Sequence, residues 1–350
     1  PLLNALGLET VWLAGKVKGR ARKAALEALL QSADIAIGTH ALFQEGVEFR
    51  DLGLVVVDEQ HRFGVHQRLA LAAKGKRGQR LPHQLVMTAT PIPRTLAMTA
   101  YAGLDVSVID ELPPGRKPVT TVAASQQRRE QVVERLQHAL SQGRQAYWVC
   151  PLIEESEVLE AEAAETRARE LTGLLSDFSV ALIHGRMKPA EKQTIMADFS
   201  AGSIDLLVAT TVIEVGVDVP NASVMIIENA ERLGLSQLHQ LRGRVGRGAD
   251  QASCVLLYKP PLGDMAQARL GVMRETTDGF VIAEKDLELR GPGEVLGTRQ
   301  TGMLRFRIAD LARDGDLLDQ VAGLARTLRV TDASILIDRW VGEAEQFVDV

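Results

Sequence analysis

Nine short runs, spaced between residues 35 and 257 and nearly all continuously apolar, constrain this chain more than any other feature. They are Ile35–Ile37, Leu54–Val57, Gln84–Met87, Val106–Ile109, Ala146–Val149, Val180–Ile183, Asp205–Val208, Val224–Ile227 and Cys254–Leu257. Strands with one face in water alternate apolar and polar residues. Continuous runs instead mark parallel strands covered by helices on both faces. Helical pattern lies between them at Arg22–Gln31, Arg128–Ser141 and Pro189–Phe199. The predicted fold is therefore α/β, a β-α-β pattern repeated through two parallel-sheet domains.

A chain of 350 residues has room for two domains and a smaller extension. Asp110 to Pro118 holds three prolines and a glycine in nine residues, breaks both helix and strand, and reads as the linker. The predicted units are residues 1–110, a linker at 111–118, a second domain at 119–265 and a C-terminal extension at 266–350. That extension reads as helical, with a glycine-rich loop from Arg290 to Gly302.

The net charge of −5 argues against a generic nucleic-acid coat, which is usually basic. The charge is uneven, however. Gln60 to Arg94 contains no acid but carries Arg62, Arg68, Lys74, Lys76, Arg77, Arg80 and Arg94, whereas acids gather between Glu154 and Glu170. The acidic run reads as a solvated helix face or a mobile insertion. A motor that tracks a strand needs a basic groove, not a basic whole. Cys150 and Cys254 sit in apolar runs and read as buried thiols, with no disulfide framework or zinc spacing. No run reaches the length of a membrane span and no signal peptide is evident, so the expected compartment is the cytoplasm and no membrane partner is expected. The chain starts at Pro1 and runs straight into Leu2-Leu3-Asn4, which reads as the middle of a domain, so a fragment is expected.

The strand Leu54–Val57 ends in Asp58-Glu59-Gln60-His61. In an open parallel sheet, ligands sit beyond the carboxyl ends of the strands. Asp58, with Glu59 beside it, would hold Mg²⁺, a hard cation that prefers oxygen. Glu59 could also orient or deprotonate an attacking water. His61, in the same cleft, suits sensing of a γ-phosphate. A solvated polar turn would explain the tetrapeptide alone. The next strand ends in Thr88-Ala89-Thr90, whose hydroxyls could bond back to the carboxylates and couple a nucleotide site to a neighbouring groove. In the second domain, Gln240-Leu241-Arg242-Gly243-Arg244-Val245-Gly246-Arg247 places three arginines on a glycine-interrupted segment. The guanidinium fork matches phosphate. If the domains close over one ATP, Arg244 and Arg247 can neutralise charge on the transferring phosphoryl group, an effect worth about 10³ to 10⁵ in rate. Upstream, Thr210 and Thr211 suit backbone phosphates, and Gly216 and Asp218 suit the nucleotide edge. His40 and His184 each end a strand, and either a groove contact or a local turn would account for them.

Together these segments resemble the superfamily-two helicases, which carry two RecA-like domains. Gly38-Thr39-His40 is similar to motif Ib, Asp58 to His61 to motif II, and Thr88 to Thr90 to motif III. Thr210 to Asp218, which includes Glu214, is similar to motif V, and Gln240 to Arg247 to motif VI. Asp58 to Val65, Pro91 to Thr99 with Arg94, and Asp105 to Arg116 narrow the resemblance to the RecG family of bacterial branch-migrating helicases. Thr277-Asp278-Gly279-Phe280, Asp286 to Glu294 and Gly297 to Gly302 resemble that family's translocation motif, which the transcription-repair coupling translocases share.

The resemblance implies ATP and Mg²⁺ as cofactors, with Gln240, Gly216 and Asp218 binding nucleotide. It implies branched DNA as partner, with single-stranded-DNA-binding protein as a further one, and a monomer. Gly38, Thr39, His40, Thr88, Thr90, Arg94, Thr210, Thr211, Glu214, Arg290, Arg299 and Gln300 would contact or couple to DNA. No Gly-Lys-Ser or Gly-Lys-Thr occurs, and Gly15-Lys16-Val17 lacks the needed hydroxyl. The phosphate loop is expected before residue 1, leaving a first domain truncated at its N-terminus and a fragment inactive alone. A transcription-repair translocase and a non-enzymatic nucleic-acid-binding module remain alternatives.

Overall fold

The computed structural model describes residues 2–59, 74–75, 80–88, 107–109, 111–151, 157–210, 219–248 and 251–290, with residues 317, 320, 324 and 327. The chain divides into two compact units. One is Pro1–Ala89 with Leu296–Asp310 and Asp316–Val350; the other is Thr90–Val295 with Leu311–Gly315.

In the first unit, α1 (Leu2–Ala5) leads to β1 (Thr10–Leu13), α2 (Gly19–Gln31) and β2 (Ile35–Gly38). A 3₁₀ turn at His40–Phe43 follows, then β3 (Leu54–Val57) and β4 (His83–Val86). β1 pairs with β2 and β3 with β4, both parallel, with Leu13 opposite Gly38 and Val57 opposite Val86. The helix α2 buries Leu29 against Val11, Leu13, Ala41 and Val47. In β3, Val55 and Val57 are buried near Phe43 and Phe49, whereas Leu54 and Val56 face outward.

The second unit is built on β5 (Thr120–Ser125), β6 (Gln145–Val149), β7 (Val180–Ile183), β8 (Leu206–Ala209), β9 (Ala222–Ile227) and β10 (Ser253–Tyr258). They form one all-parallel sheet in the order β5-β10-β9-β6-β8-β7. Its helices are α3 (Arg129–Ser141), α4 (Glu157–Leu174), α5 (Pro189–Ser200), α6 (Leu235–Arg242), α7 (Asp264–Glu275) and α8 (Gly279–Arg290).

Successive strand side chains point to opposite faces, and β6 shows the result. Ala146 and Trp148 join a core with Leu136 of α3 and Ala164 and Leu171 of α4. Tyr147 and Val149 join the opposite core with Phe199 of α5, Leu238 of α6, Met273 of α7 and Ile282 of α8. All five β6 side chains are buried, so both faces exclude water, as the continuous apolar run requires. Each large side chain so buried contributes about 1.5–3 kcal/mol. Gln145 donates from Nε2 to the carbonyls of Phe199 and Ile204, both at 2.6 Å, which ties the end of α5 to the sheet, while its Oε1 is buried without a hydrogen bond among the described residues.

This is the parallel-sheet α/β fold expected from the apolar runs. One expected strand is not formed over its described part. Ser107–Ile109 have no regular structure, and Ile109 is 91 % exposed. An apolar run becomes a strand only where a neighbour accepts its ladder, and no ladder partner is found for this one among the described residues. Two strands absent from the sequence reading, β1 and β5, take up edge positions in their sheets. α7 and α8, in the segment read as an extension, share the core of the second unit. No helix among the described residues is long and apolar enough to cross a membrane.

Candidate functional site

The parallel register sets the first site. Beyond the paired ends Leu13 and Gly38, the chain enters the turn at Gly15 and the segment Thr39-His40. Thr39 N–H donates to the Leu13 carbonyl at 3.2 Å, and a Cβ on Gly38 would run into that same carbonyl and into Leu42. Only glycine lets the two strand ends approach this closely. Thr39 and His40 are exposed, and the His40 ring lies 6.1 Å from that of Phe43.

Past the paired ends of β3 and β4, Asp58 is exposed and Glu59 half-buried. Glu59 adopts φ 53°, a left-handed conformation uncommon for this residue type, and its N–H donates to Asp58 Oδ1 at 2.8 Å. Such backbone strain concentrates at functional positions. Met87 N–H donates to the Val57 carbonyl at 2.7 Å, and continuing that register sets Thr88 beside Glu59. Two adjacent carboxylates fit Mg²⁺, which takes one or two protein carboxylates and completes its shell with phosphate and water. No group of three or more metal-ligating side chains occurs among the described residues. Gln60, His61, Thr90 and Arg94 lie outside the described residues.

In the second unit, α6 delivers the arginine segment. Gln240 is half-buried on the helix, Gly243 caps it, Arg244 is half-buried and Arg247 is exposed. Gly246 holds φ 74°, and a Cβ there would press on Ala252 and Val119 at 3.0 and 3.1 Å. This left-handed turn aims Arg247 away from the core that Val245 enters. Arg116 donates to the Gly243 carbonyl at 3.3 Å, tying the proline-rich segment to the same turn.

Arg242 differs from its two neighbours. It is 3 % exposed and donates to the carbonyls of Met273 (3.0 Å) and Thr276 (2.9 Å) and to Thr121 Oγ1 (3.4 Å), with His239 Nδ1 at 3.1 Å. It caps the end of α7 and is not available to phosphate. Burial, and then the Arg242 charge, hold His239 down at about 4.

At the end of β8, Thr210 is buried, and its hydroxyl makes no hydrogen bond among the described residues. Beside it at the end of β7, His184 Nε2 lies 3.8 Å from Glu165. Thr211, Glu214, Gly216 and Asp218 lie outside the described residues, as do Arg299 and Gln300. Arg290 ends α8.

Sequence reasoning missed Glu228. Directly after β9 and 5 % exposed, it accepts from Trp148 Nε1 at 3.0 Å and pairs with Arg167 Nε at 2.7 Å and Arg129 Nε at 3.6 Å. Its only signal was an acid closing a continuous apolar strand. Cys150, nearby, is driven far above the ordinary thiol range by burial and then by Glu228, and burial raises Cys254 to about 12. Both are buried, free thiols.

Comparison with known proteins gives a consistent assignment. Residues 2–99 match the DEAD/DEAH box helicase family, and residues 127–249 match the helicase conserved C-terminal domain. Residues 276–338 match the C-terminal part of domain 3 of the ATP-dependent DNA helicase RecG. The ATP-dependent DNA helicase RecG of Pasteurella multocida is 63 % identical over 352 residues, covering 99 % of this chain and 51 % of the relative. That of Escherichia coli K12 is 63 % identical over 347 residues, covering 98 % and 50 %. The chain thus spans about half the length of the curated relatives it matches. A solved structure of RecG bound to a three-way DNA junction superposes with a TM-score of 0.65 at 43 % identity, over 91 % of this chain and 41 % of that one. The helicase MrfA bound to DNA and AMPPNP, 16 % identical, shares the fold with a TM-score of 0.58 over 77 % of this chain and 40 % of its own. Paired carboxylates beyond one parallel sheet, an arginine turn beyond the other, and identity running through both units place this chain in the RecG family.

Proposed function

We propose that the complete protein is an ATP-dependent DNA helicase or translocase that remodels branched DNA, including stalled forks and Holliday junctions, in recombination and repair. The observation that carries this reading is the 63 % identity to RecG helicases along essentially the whole chain, joined to a RecG structure whose partner is a three-way DNA junction. In this reading Asp58 and Glu59 would hold Mg²⁺, which would supply positive charge against the nucleotide phosphates. Glu59 orients the attacking water, and His61 reads the γ-phosphate. Gln240, Gly216 and Asp218 position the nucleotide. Arg244 and Arg247 stabilise charge as the phosphoryl group transfers. Each hydrolysis is coupled to a step along DNA.

Gly38, Thr39, His40, Thr88, Thr90, Arg94, Thr210, Thr211 and Glu214 then form the DNA track and its link to the nucleotide. Arg290, Arg299 and Gln300 carry the stroke to duplex DNA. The protein acts as a monomer in the cytoplasm, with single-stranded-DNA-binding protein as a further partner. The phosphate loop is supplied by sequence outside these residues, and the 350-residue chain alone is inactive.

The test is ATP hydrolysis by the complete protein with and without a three-way junction. Junction-stimulated turnover is expected. Glu59→Gln should still bind ATP, while turnover falls by about 10²- to 10⁴-fold, the usual worth of a positioned acid–base group. Near wild-type turnover in that variant would remove Glu59 from the chemistry.

A further inference from the structure

We infer that the segment joining β1 to α2 is a contact for the phosphate backbone of duplex DNA, carried by Lys16, Lys18 and Arg20. The inference rests on the DNA-translocase reading above and adds a binding surface to it. Between Lys16 and Lys23 the chain carries Lys16, Lys18, Arg20, Arg22 and Lys23 and no acid, although the protein as a whole is acidic. Arg22 is engaged with Gln44 at 3.0 Å, and Lys23 lies 3.9 Å from Glu27. Lys16, Lys18 and Arg20 are exposed, and their side chains form no hydrogen bond or ion pair among the described residues.

The placement runs against the helix. An α-helix favours acids in its first turn, because its dipole is positive there. The first turn of α2 has no acid and instead holds Arg20 and Arg22, with Lys23 directly after it. An arrangement that disfavours the isolated fold makes sense if a polyanion completes it.

Geometry indicates which polyanion. Leu13 and Gly38 are register partners, so this segment and Thr39-His40 leave the same end of the same strand pair. Thr39 N–H bonds to Leu13 O, and the Arg22–Gln44 bond ties the start of α2 to the stretch after the His40–Phe43 turn. The basic groups therefore extend the edge that already presents an exposed threonine and histidine. Gly15 to Arg20 exposes no aromatic anchor and Val17 is half-buried; the exposed Trp12 lies within β1 opposite its register partner Ile37, before the paired strand ends from which the basic segment leaves. A peptide partner would need such an anchor, and single-stranded bases would need a stacking surface. What remains is charge and hydrogen-bond donors, the means of reading phosphates without reading sequence.

The experiment uses the complete protein, a labelled three-way junction and a plain duplex, with fluorescence anisotropy across a salt series. Each phosphate contact contributes about 0.9 to the slope of log affinity against log salt on duplex DNA. Lys16→Gln/Lys18→Gln/Arg20→Gln should bind both probes more weakly, with a slope shallower by about 2.7. ATP hydrolysis without DNA should be unchanged. Arg135→Gln, which removes an exposed charge on α3, should leave the slope as it is. A slope equal to wild type in the triple variant, or an equal drop in Arg135→Gln, overturns the assignment. Should the triple variant lose its fold, Lys16→Gln alone, in the turn before the helix, carries the test with an expected change of about 0.9. If the wild-type protein neither binds the junction nor is stimulated by it, the translocase reading fails first. If wild type does both and the slopes match, only the basic segment is at fault.

Discussion

Replacing Arg242 with methionine tests whether this arginine serves the architecture and not the phosphate. Methionine keeps the length and apolar stem and removes every donor. Two bonds to backbone carbonyls are lost, at 3.0 and 2.9 Å, both made by a charged group that is 3 % exposed. Hydrogen bonds to charged groups contribute about 1.5–3 kcal/mol each, so the gross loss is roughly 3–6 kcal/mol. Methionine spares the desolvation of the guanidinium, which returns part of that. The net destabilisation of the α7 end should be about 3 kcal/mol, or roughly two powers of ten in its opening equilibrium. Hydrogen exchange read by mass spectrometry in the complete protein is the assay. Amides of the α7 end, residues 270–276, should exchange about 100-fold faster, while those of β6 and β8 hold their rates. Arg242→Lys should fall between, because one ammonium cannot span both carbonyls. Unchanged exchange at 270–276 together with a collapse of ATP turnover would refute the argument and assign Arg242 to the phosphate site beside Arg244 and Arg247.

Two further outcomes follow from the same region. His239 is held near 4 by burial and by Arg242, below its unfolded value of about 6.5. A base with a depressed folded pKa supports the fold fully above the unfolded value. That support should drain away as the pH drops from about 6.5 towards 4, and denaturation midpoints of wild type and His239→Gln should show the extra acid sensitivity in wild type alone. Gly246→Ala should lower stability by about 1–3 kcal/mol, since φ 74° disfavours a side chain and the new Cβ meets Ala252 and Val119. A thermal melt that matches wild type would mean the turn relaxes freely.

The parts of the fold legible in the sequence were those whose cause is local. Ala146–Val149, Val180–Ile183 and Val224–Ile227 declared themselves as apolar runs because two helical layers cover each strand. Thr120–Ser125 gave no such signal. Its threonines, alanines and serine make a strand only because β10 offers them a ladder from a distant part of the chain. The acidic stretch before Glu170 was read through its charge, yet α4 turns Ala161, Ala164, Ala168 and Leu171 inward. Alanines are too small to announce a core face by hydrophobicity. The same holds at the site. The placement of Asp58 and Glu59 just past a strand was readable because they close an apolar run. Arg244 and Arg247 were singled out for the phosphate, whereas the role of Arg242 at the end of α7 emerged only from its burial. Glu228 carries no marker beyond its position, since what defines it is the approach of Arg129 and Arg167 from other helices.

The strand order also sets a timetable for synthesis. β5 lies at the sheet edge, and its ladder partner is β10, so Thr120 must wait for Ser253. At roughly 5–20 residues per second, the ribosome needs on the order of ten seconds to deliver that partner. Through that interval β6, β8 and β9 can pair among themselves while β5 stays unpaired, exposed to neighbouring chains or to a chaperone. The alanine-rich composition of β5, low in large apolar side chains, keeps that waiting segment weakly adhesive until β10 arrives.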